Sequence, residues 1–159
     1  MNNERSQNVR ASTDNLEYKF TSSGKHGEIE KVIQYKKIDP SLPDLYNLGF
    51  GHLAGNGTYI DDYVRADNGD MMKVLSTVAF TVNDFIAHYP DKTIYIRGSD
   101  PVRTRVYQIA INKHYEEISK HYEIYGHLAV ASADRSEVIY CREPFQKNKN
   151  YLGFLIVKK

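Results

Sequence analysis

Ile94-Tyr95-Ile96-Arg97-Gly98-Ser99-Asp100-Pro101-Val102-Arg103-Thr104-Arg105-Val106-Tyr107 reads as a strand, a tight polar turn and the arginine-bearing start of a helix. Ser99 or Asp100 supplies a side-chain cap for that helix, and Pro101 sits near the first helical position, where a missing N–H costs nothing. The first N–H groups of a helix have no partner in the helix and carry partial positive charge, so arginines beside them favour an anionic guest. Arg97, Ser99, Asp100, Arg103, Arg105 and Tyr107 are therefore the candidate ligand-binding residues.

Outward from this corner the chain alternates between strand and helix patterns. Upstream, a helix from Asp70 to His88 has Asp70 as its cap and Met71, Val74, Leu75, Val78, Ala79, Val82, Phe85, Ile86 and Tyr89 on one face, and Pro90 stops it. Phe80 faces the other way among Thr77, Thr81 and Asp84, either as a singly exposed aromatic or as an interface with another element or subunit. Further upstream, Leu16 to Phe20 alternates, breaks at Ser22-Ser23-Gly24 and Gly27, and resumes through Ile29, Ile33 and Tyr35 as the second arm of a hairpin. Pro40 and Pro43 end that arm, and Leu45 to Gly51 forms a shorter strand.

Downstream, the second helix runs from Pro101 to Lys120 with a wide apolar arc that includes Val102, Ile109 and Tyr107, while Thr104, Gln108, Asn112 and Glu116 face water. Strands follow at Tyr122 to Val130, Glu137 to Cys141 and Tyr151 to Val157, with a polar, basic connection from Arg142 to Asn150 over the surface. This order gives an α+β fold, a mainly antiparallel sheet with two helices packed on one face. Met1 to Asn15 is polar without an apolar period and reads as a disordered or loosely attached tail, leaving Leu16 to Lys159 as a single domain.

Composition bounds the function. The chain has 159 residues, 41% of them hydrophobic and 26% charged, with a net charge of +1, so no global field drives it onto nucleic acid or membrane and any such binding is local. No stretch approaches the roughly 20 apolar residues of a membrane span, and the start of the chain lacks the apolar core of a signal peptide. One cysteine, Cys141, excludes an internal disulfide and fits a reducing compartment, so the expectation is cytoplasmic. Its place in a strand makes it an inert core thiol. Thirteen tyrosines and no tryptophan suit half-buried sheet faces, where the ring packs and the hydroxyl stays wet.

Arg103 falls near the middle of the second helix's apolar arc, where a guanidinium needs a carboxylate, carbonyls or an anionic ligand. The alternatives are an ion pair with an acid, for instance from the Asp61 to Asp70 stretch, or ligand capture. Asp61, Asp62, Asp67 and Asp70 form a weak metal alternative, since no calcium-loop spacing follows them and Asp67-Asn68-Gly69 is ordinary turn chemistry. The six histidines show no paired-ligand spacing, and phosphate-loop and nucleophile-elbow motifs are absent.

The motifs Asn47-Leu48-Gly49-Phe50-Gly51, Asp67-Asn68-Gly69-Asp70 with Lys73-Val74-Leu75-Ser76-Thr77-Val78, and Gly98-Ser99-Asp100 with Arg103-Thr104-Arg105-Val106-Tyr107 occur in order. With them the chain resembles an uncharacterised bacterial family, a domain of unknown function common in Bacteroidota. The terminal Tyr151-Leu152-Gly153-Phe154 stands where that family has Tyr-x-Ala-Phe. The resemblance implies a stand-alone cytoplasmic domain and brings no catalytic residue with it.

Three function classes follow. The first is a small binding module, without cofactor, that takes nucleic-acid phosphate, a nucleotide or an acidic protein partner at the arginine corner, in a toxin–antitoxin or phage-defence setting. The second is an enzyme, a nuclease or transferase acting on a phosphate-bearing substrate. The third is a homodimeric interaction protein that uses Phe80 and sheet-edge tyrosines.

Overall fold

The computed structural model describes residues 5–25, 27–53, 59–61, 71–98 and 100–159. They form an α+β fold built as two compact units, Met1–Lys92 and Thr93–Lys159.

The first unit contains strands β1 (Arg10–Ala11), β2 (Glu17–Gly24), β3 (Gly27–Lys37), β4 (Leu45–Leu53) and β5 (Tyr59–Asp61), followed by helix α1 (Met71–His88). β1 to β4 pair antiparallel in chain order, and β5 pairs with β4. The period of two in β2 turns Tyr18, Phe20 and Ser22 inward. Register then places Tyr18 beside Ile33, and Phe20 beside Lys31, a buried lysine whose ammonium stands 5.5 Å from the centre of the Phe50 ring. Desolvation strengthens such a cation–π contact. Gly27 begins β3 at φ 81°, a left-handed conformation that glycine adopts at little cost.

Helix α1 docks through aromatic rings and the hydroxyls they carry. Phe85 stacks on Tyr35 with ring centres 4.3 Å apart, and Tyr46 lies 5.5 Å from the same ring. The Tyr35 hydroxyl meets Thr81 Oγ1 at 2.9 Å, and the Tyr18 hydroxyl donates to Asp84 at 2.7 Å. Thr77 and Thr81 are fully buried, although helical spacing groups them with the polar face. Their hydroxyls also bond to Lys73 O and Val78 O, so each enters the interior with its hydrogen-bonding capacity used.

The described part of the N-terminal segment, 5–15, makes contacts with α1 and β2. Ser6 is buried and its N–H donates to Thr77 Oγ1 at 2.9 Å, while β1 pairs Arg10 with Lys19. The Arg5 guanidinium lies 3.8 Å from the centre of the Phe80 ring. Phe80, expected as an exposed or interface aromatic, is thus half-buried beneath the chain's own N-terminal segment. Hydrogen bonds, the Arg10–Glu30 ion pair and a cation–π contact engage this segment, none of which leaves an apolar period in the sequence.

The second unit contains β6 (Thr93–Ile96), helix α2 (Pro101–Ile118), β7 (Tyr122–Ala131), β8 (Val138–Pro144) and β9 (Gly153–Lys158), with antiparallel strands in the order β6-β9-β7-β8. Ile111, Ile124, Phe145, Tyr151 and Phe154 make its core cluster, with Tyr107, Tyr115 and Ile118 packed against it. Helix α2 is turned differently from the sequence expectation: Val102 and Ile109 are 59% and 54% exposed, while Thr104 and Gln108 are buried. The segment between β8 and β9 covers the polar side of the helix and supplies it with hydrogen-bond partners, the Lys149 carbonyl for Gln108 and the Asn150 side chain for Arg105. Cys141, expected in the core, is exposed on β8.

Phe85→Ala removes the ring that joins α1 to Tyr35 and Tyr46, and is expected to destabilise the protein by about 3–5 kcal/mol. Urea unfolding followed by circular dichroism measures this, and a loss below about 1 kcal/mol would contradict the packing of α1 on its sheet.

Candidate functional site

The strand-to-helix corner of the second unit is built by close backbone approach. Asp100 is extended (φ −149°, ψ 170°) and caps α2, its carboxylate accepting the Arg103 N–H at 2.9 Å. The Thr104 hydroxyl accepts the Gly98 N–H at 3.0 Å and donates to Asp100 O at 3.1 Å, lacing the end of β6 to the first turn of the helix. A Cβ at position 98 would overlap the Thr104 nitrogen and Arg103 Cβ, so glycine is needed there for approach.

Beside this corner lies a cleft of about 370 Å³. Pro101, Thr104, Arg105 and Gln108 of α2 form one wall, Asn150, Tyr151 and Leu152 the other, and Arg97 and Asp100 line it from the turn. The second wall is held at several points. Gln108 Nε2 donates to Lys149 O, Arg105 Nη1 to Asn150 Oδ1 at 3.4 Å, and the Leu152 N–H to His127 O at 2.8 Å. The Tyr151 ring lies on Gly126, where any Cβ would overlap it, and its hydroxyl donates to Glu143 at 2.7 Å while accepting the Gln146 N–H at 3.0 Å. Lys149 Nζ reaches both Glu143 oxygens at 2.8 Å. Hydrogen bonds from Lys149 and then Tyr151 hold the Glu143 carboxyl below its ordinary value, whereas burial and then Glu143 push the Tyr151 phenol up.

The charges of the cleft do not cancel. Asp100 Oδ2 is 3.5 Å from Arg103 Nη1, so the one carboxylate among the described lining residues is balanced by Arg103, whose side chain is 16% exposed. Arg97 and Arg105, both exposed residues, line the same volume, and the Arg97 side chain also hydrogen-bonds the Tyr95 hydroxyl. Of the residues expected from sequence, the structure brings together Arg97, Asp100 and Arg105. It assigns Arg103 to the ion pair with Asp100 and Tyr107 to the margin of the core, neither of them in the cleft lining. Ser99 lies outside the described residues, as do Asp62, Asp67 and Asp70, and of Asp61 only the strand position is described.

Sequence reasoning missed Pro101, Tyr151 and Leu152 of the lining, and with them the polar lining residues Thr104, Gln108 and Asn150. Their signal was present but inverted, because a polar stripe on a helix and a polar connection each read as solvent-facing until they are placed against one another. Among the described residues, no group of three or more His, Cys, Asp or Glu side chains is placed to hold a metal ion. No described helix is long and apolar enough to cross a membrane.

The model of a protein family described as a family of unknown function, DUF6934, matches residues 3–159. No curated protein and no solved structure matches the chain.

Thr104→Val keeps the shape of the corner and leaves the buried Gly98 N–H without its acceptor, an expected loss of about 1–3 kcal/mol in chemical unfolding. Stability also carries a pH signature. The folded Glu143 carboxyl titrates below its ordinary value, so its contribution is full above the ordinary glutamate range and drains away as pH falls through the lower folded value. The melting temperature of wild type is expected to fall toward that of Glu143→Gln as pH is lowered through and below the ordinary glutamate range. A constant gap across those pH values would show that Glu143 does not pin the wall.

Proposed function

The chain belongs to the family of unknown function DUF6934, and from that premise, which carries no activity with it, we propose that the protein is a binding module. It holds a phosphate-bearing ligand, a nucleotide or the phosphate of a nucleic-acid strand, in the cleft between α2 and the 149–152 segment. The observation that carries this reading is the charge balance. Arg103 pairs with the one acid among the described lining residues, while Arg97 and Arg105, both exposed, line a small volume beside the first turn of a helix.

Arginine suits this task because its planar fork matches phosphate oxygens two at a time. The helix dipole adds to the attraction within the first turn. A volume of about 370 Å³ fits one nucleotide-sized group better than an extended protein surface. Gln108 and Asn150 add amide groups to the walls, whose role is to orient the ligand rather than to attract it.

Differential scanning fluorimetry with nucleoside mono- and diphosphates and with inorganic phosphate tests the reading. At about 100-fold excess over its dissociation constant, a ligand adds about 2.7 kcal/mol and raises the melting temperature by several degrees. Arg105→Ala is expected to abolish this rise with little change in the free protein, because surface substitutions stay within about 0.5 kcal/mol. Arg103→Ala, by contrast, is expected to lower the melting temperature with or without ligand, since it leaves Asp100 without its cation. A wild type that no phosphate compound stabilises would overturn the reading.

A further inference from the structure

The sheet of the second unit has a face opposite α2 that carries a second set of aromatic and cationic side chains. Ile124 and Phe154 pack toward α2 with Ile111, so the alternate positions of the same strands point the other way. Register sets Tyr95 beside Leu155, Leu155 beside Tyr125, and His127 beside Arg142, all on that second face.

The side chains there touch in sequence. Tyr95 lies over Gly153, where a Cβ would stand 2.5 Å from its hydroxyl oxygen, and that oxygen bonds to His127 Nδ1 at 2.8 Å. The His127 ring is 5.8 Å from Tyr140, and the Arg142 guanidinium lies 4.5 Å from the centre of the Tyr125 ring. Tyr140 is 66% exposed, and Arg142 is exposed as well. The carboxylate on this face, Glu123, accepts the Tyr125 hydroxyl at 2.6 Å. Arg97 follows directly on β6, and its charge acts on both Tyr95 and His127, opposing the upward push of burial on the phenol and adding to the downward push of burial on the imidazole. The histidine is therefore held toward its neutral form, so the standing positive charges of the face are the two arginines.

We propose that this face is a stacking platform for single-stranded nucleic acid: bases lie on the Tyr140 ring and on the Arg142 guanidinium seated over Tyr125, while Arg97 guides the backbone toward the cleft. Every base has a π face that such planes accept, and the two arginines complement the phosphates. A duplex hides its base faces in its own stack and gains nothing from the rings. The proposal rests on the cleft reading only where Arg97 hands the backbone to Arg105.

Fluorescence anisotropy separates the two. The probes are labelled oligothymidine and oligouridine of about ten nucleotides, an abasic strand with the same phosphodiester backbone, and the corresponding duplex. Oligothymidine or oligouridine is expected to bind wild type about tenfold more tightly than the abasic strand and the duplex; Tyr140→Ala is expected to remove about that factor while abasic binding stays constant, and Arg142→Ala to weaken both strands, the base-bearing one more. Arg105→Ala is expected to weaken the base-bearing and abasic strands alike. Equal binding of base-bearing and abasic strands, wild-type binding by a folded Tyr140→Ala, or no binding of any strand would overturn the platform, and the cleft would still be judged by its phosphate probes. Loss with Tyr140→Ala and none with Arg105→Ala would keep the platform and remove the cleft from the path of the strand.

Discussion

Burying a tyrosine ring obliges a fold to find a partner for its hydroxyl, and this obligation organises both units of a chain with thirteen tyrosines and no tryptophan. In the first unit Tyr35 and Tyr18 reach Thr81 and Asp84 of α1, so the helix is located by two polar contacts as well as by the stack on Phe85. In the second, Tyr151 packs its ring onto Gly126 and hands its hydroxyl to Glu143, which also gathers Lys149. Apolar packing is non-directional, and these hydroxyls supply the direction.

The cleft is a by-product of the same obligation. The segment that crosses from β8 to β9 has few apolar side chains with which to hold itself down, and Phe145 and Tyr151 are its buried anchors. Between them Glu143 collects Lys149, Gln146 and the Tyr151 hydroxyl, and Gln108 takes the Lys149 carbonyl from the helix side. A wall built in this way carries polar groups toward α2, where Arg105 already stands. The corner opposite is equally economical, because the Thr104 hydroxyl satisfies an N–H of one element and a carbonyl of the other. Asp100 then serves at once as helix cap and as counter-ion to Arg103, which leaves the field of Arg97 and Arg105 uncompensated within the lining.

The two faces of the second unit's strands carry different side chains. One buries Phe154, Ile124 and Gly126 against α2 and Tyr151; the other displays Tyr95, Tyr125 and His127 with their cationic neighbours. Glycine permits both arrangements: Gly126 makes room for Tyr151 on one face, and Gly153 makes room for Tyr95 on the other. The two glycines belong to adjacent pairs of one register, Gly126–Phe154 and His127–Gly153, whose side chains lie on opposite faces.

What the sequence by itself determined was local. Alternation in Glu17–Gly24, the apolar period of Met71–His88, the cap and proline before Val102 and the breaks at Pro40, Pro43 and Pro90 depend on backbone sterics and on neighbours a few residues away, and they mark out the elements and the α+β class. Membership of the arginine corner was legible for Arg97, Asp100 and Arg105 on the same ground, since all lie within one strand-to-helix turn. Only the tertiary structure decided which side of α2 is covered, that Arg103 spends its charge on Asp100, that Phe80 is sheltered by Arg5, and that Asn150 and Leu152 complete the cleft. These outcomes turn on partners tens of residues distant, and a polar side chain reads as solvent-facing until such a partner satisfies its hydrogen bonds and makes its burial affordable.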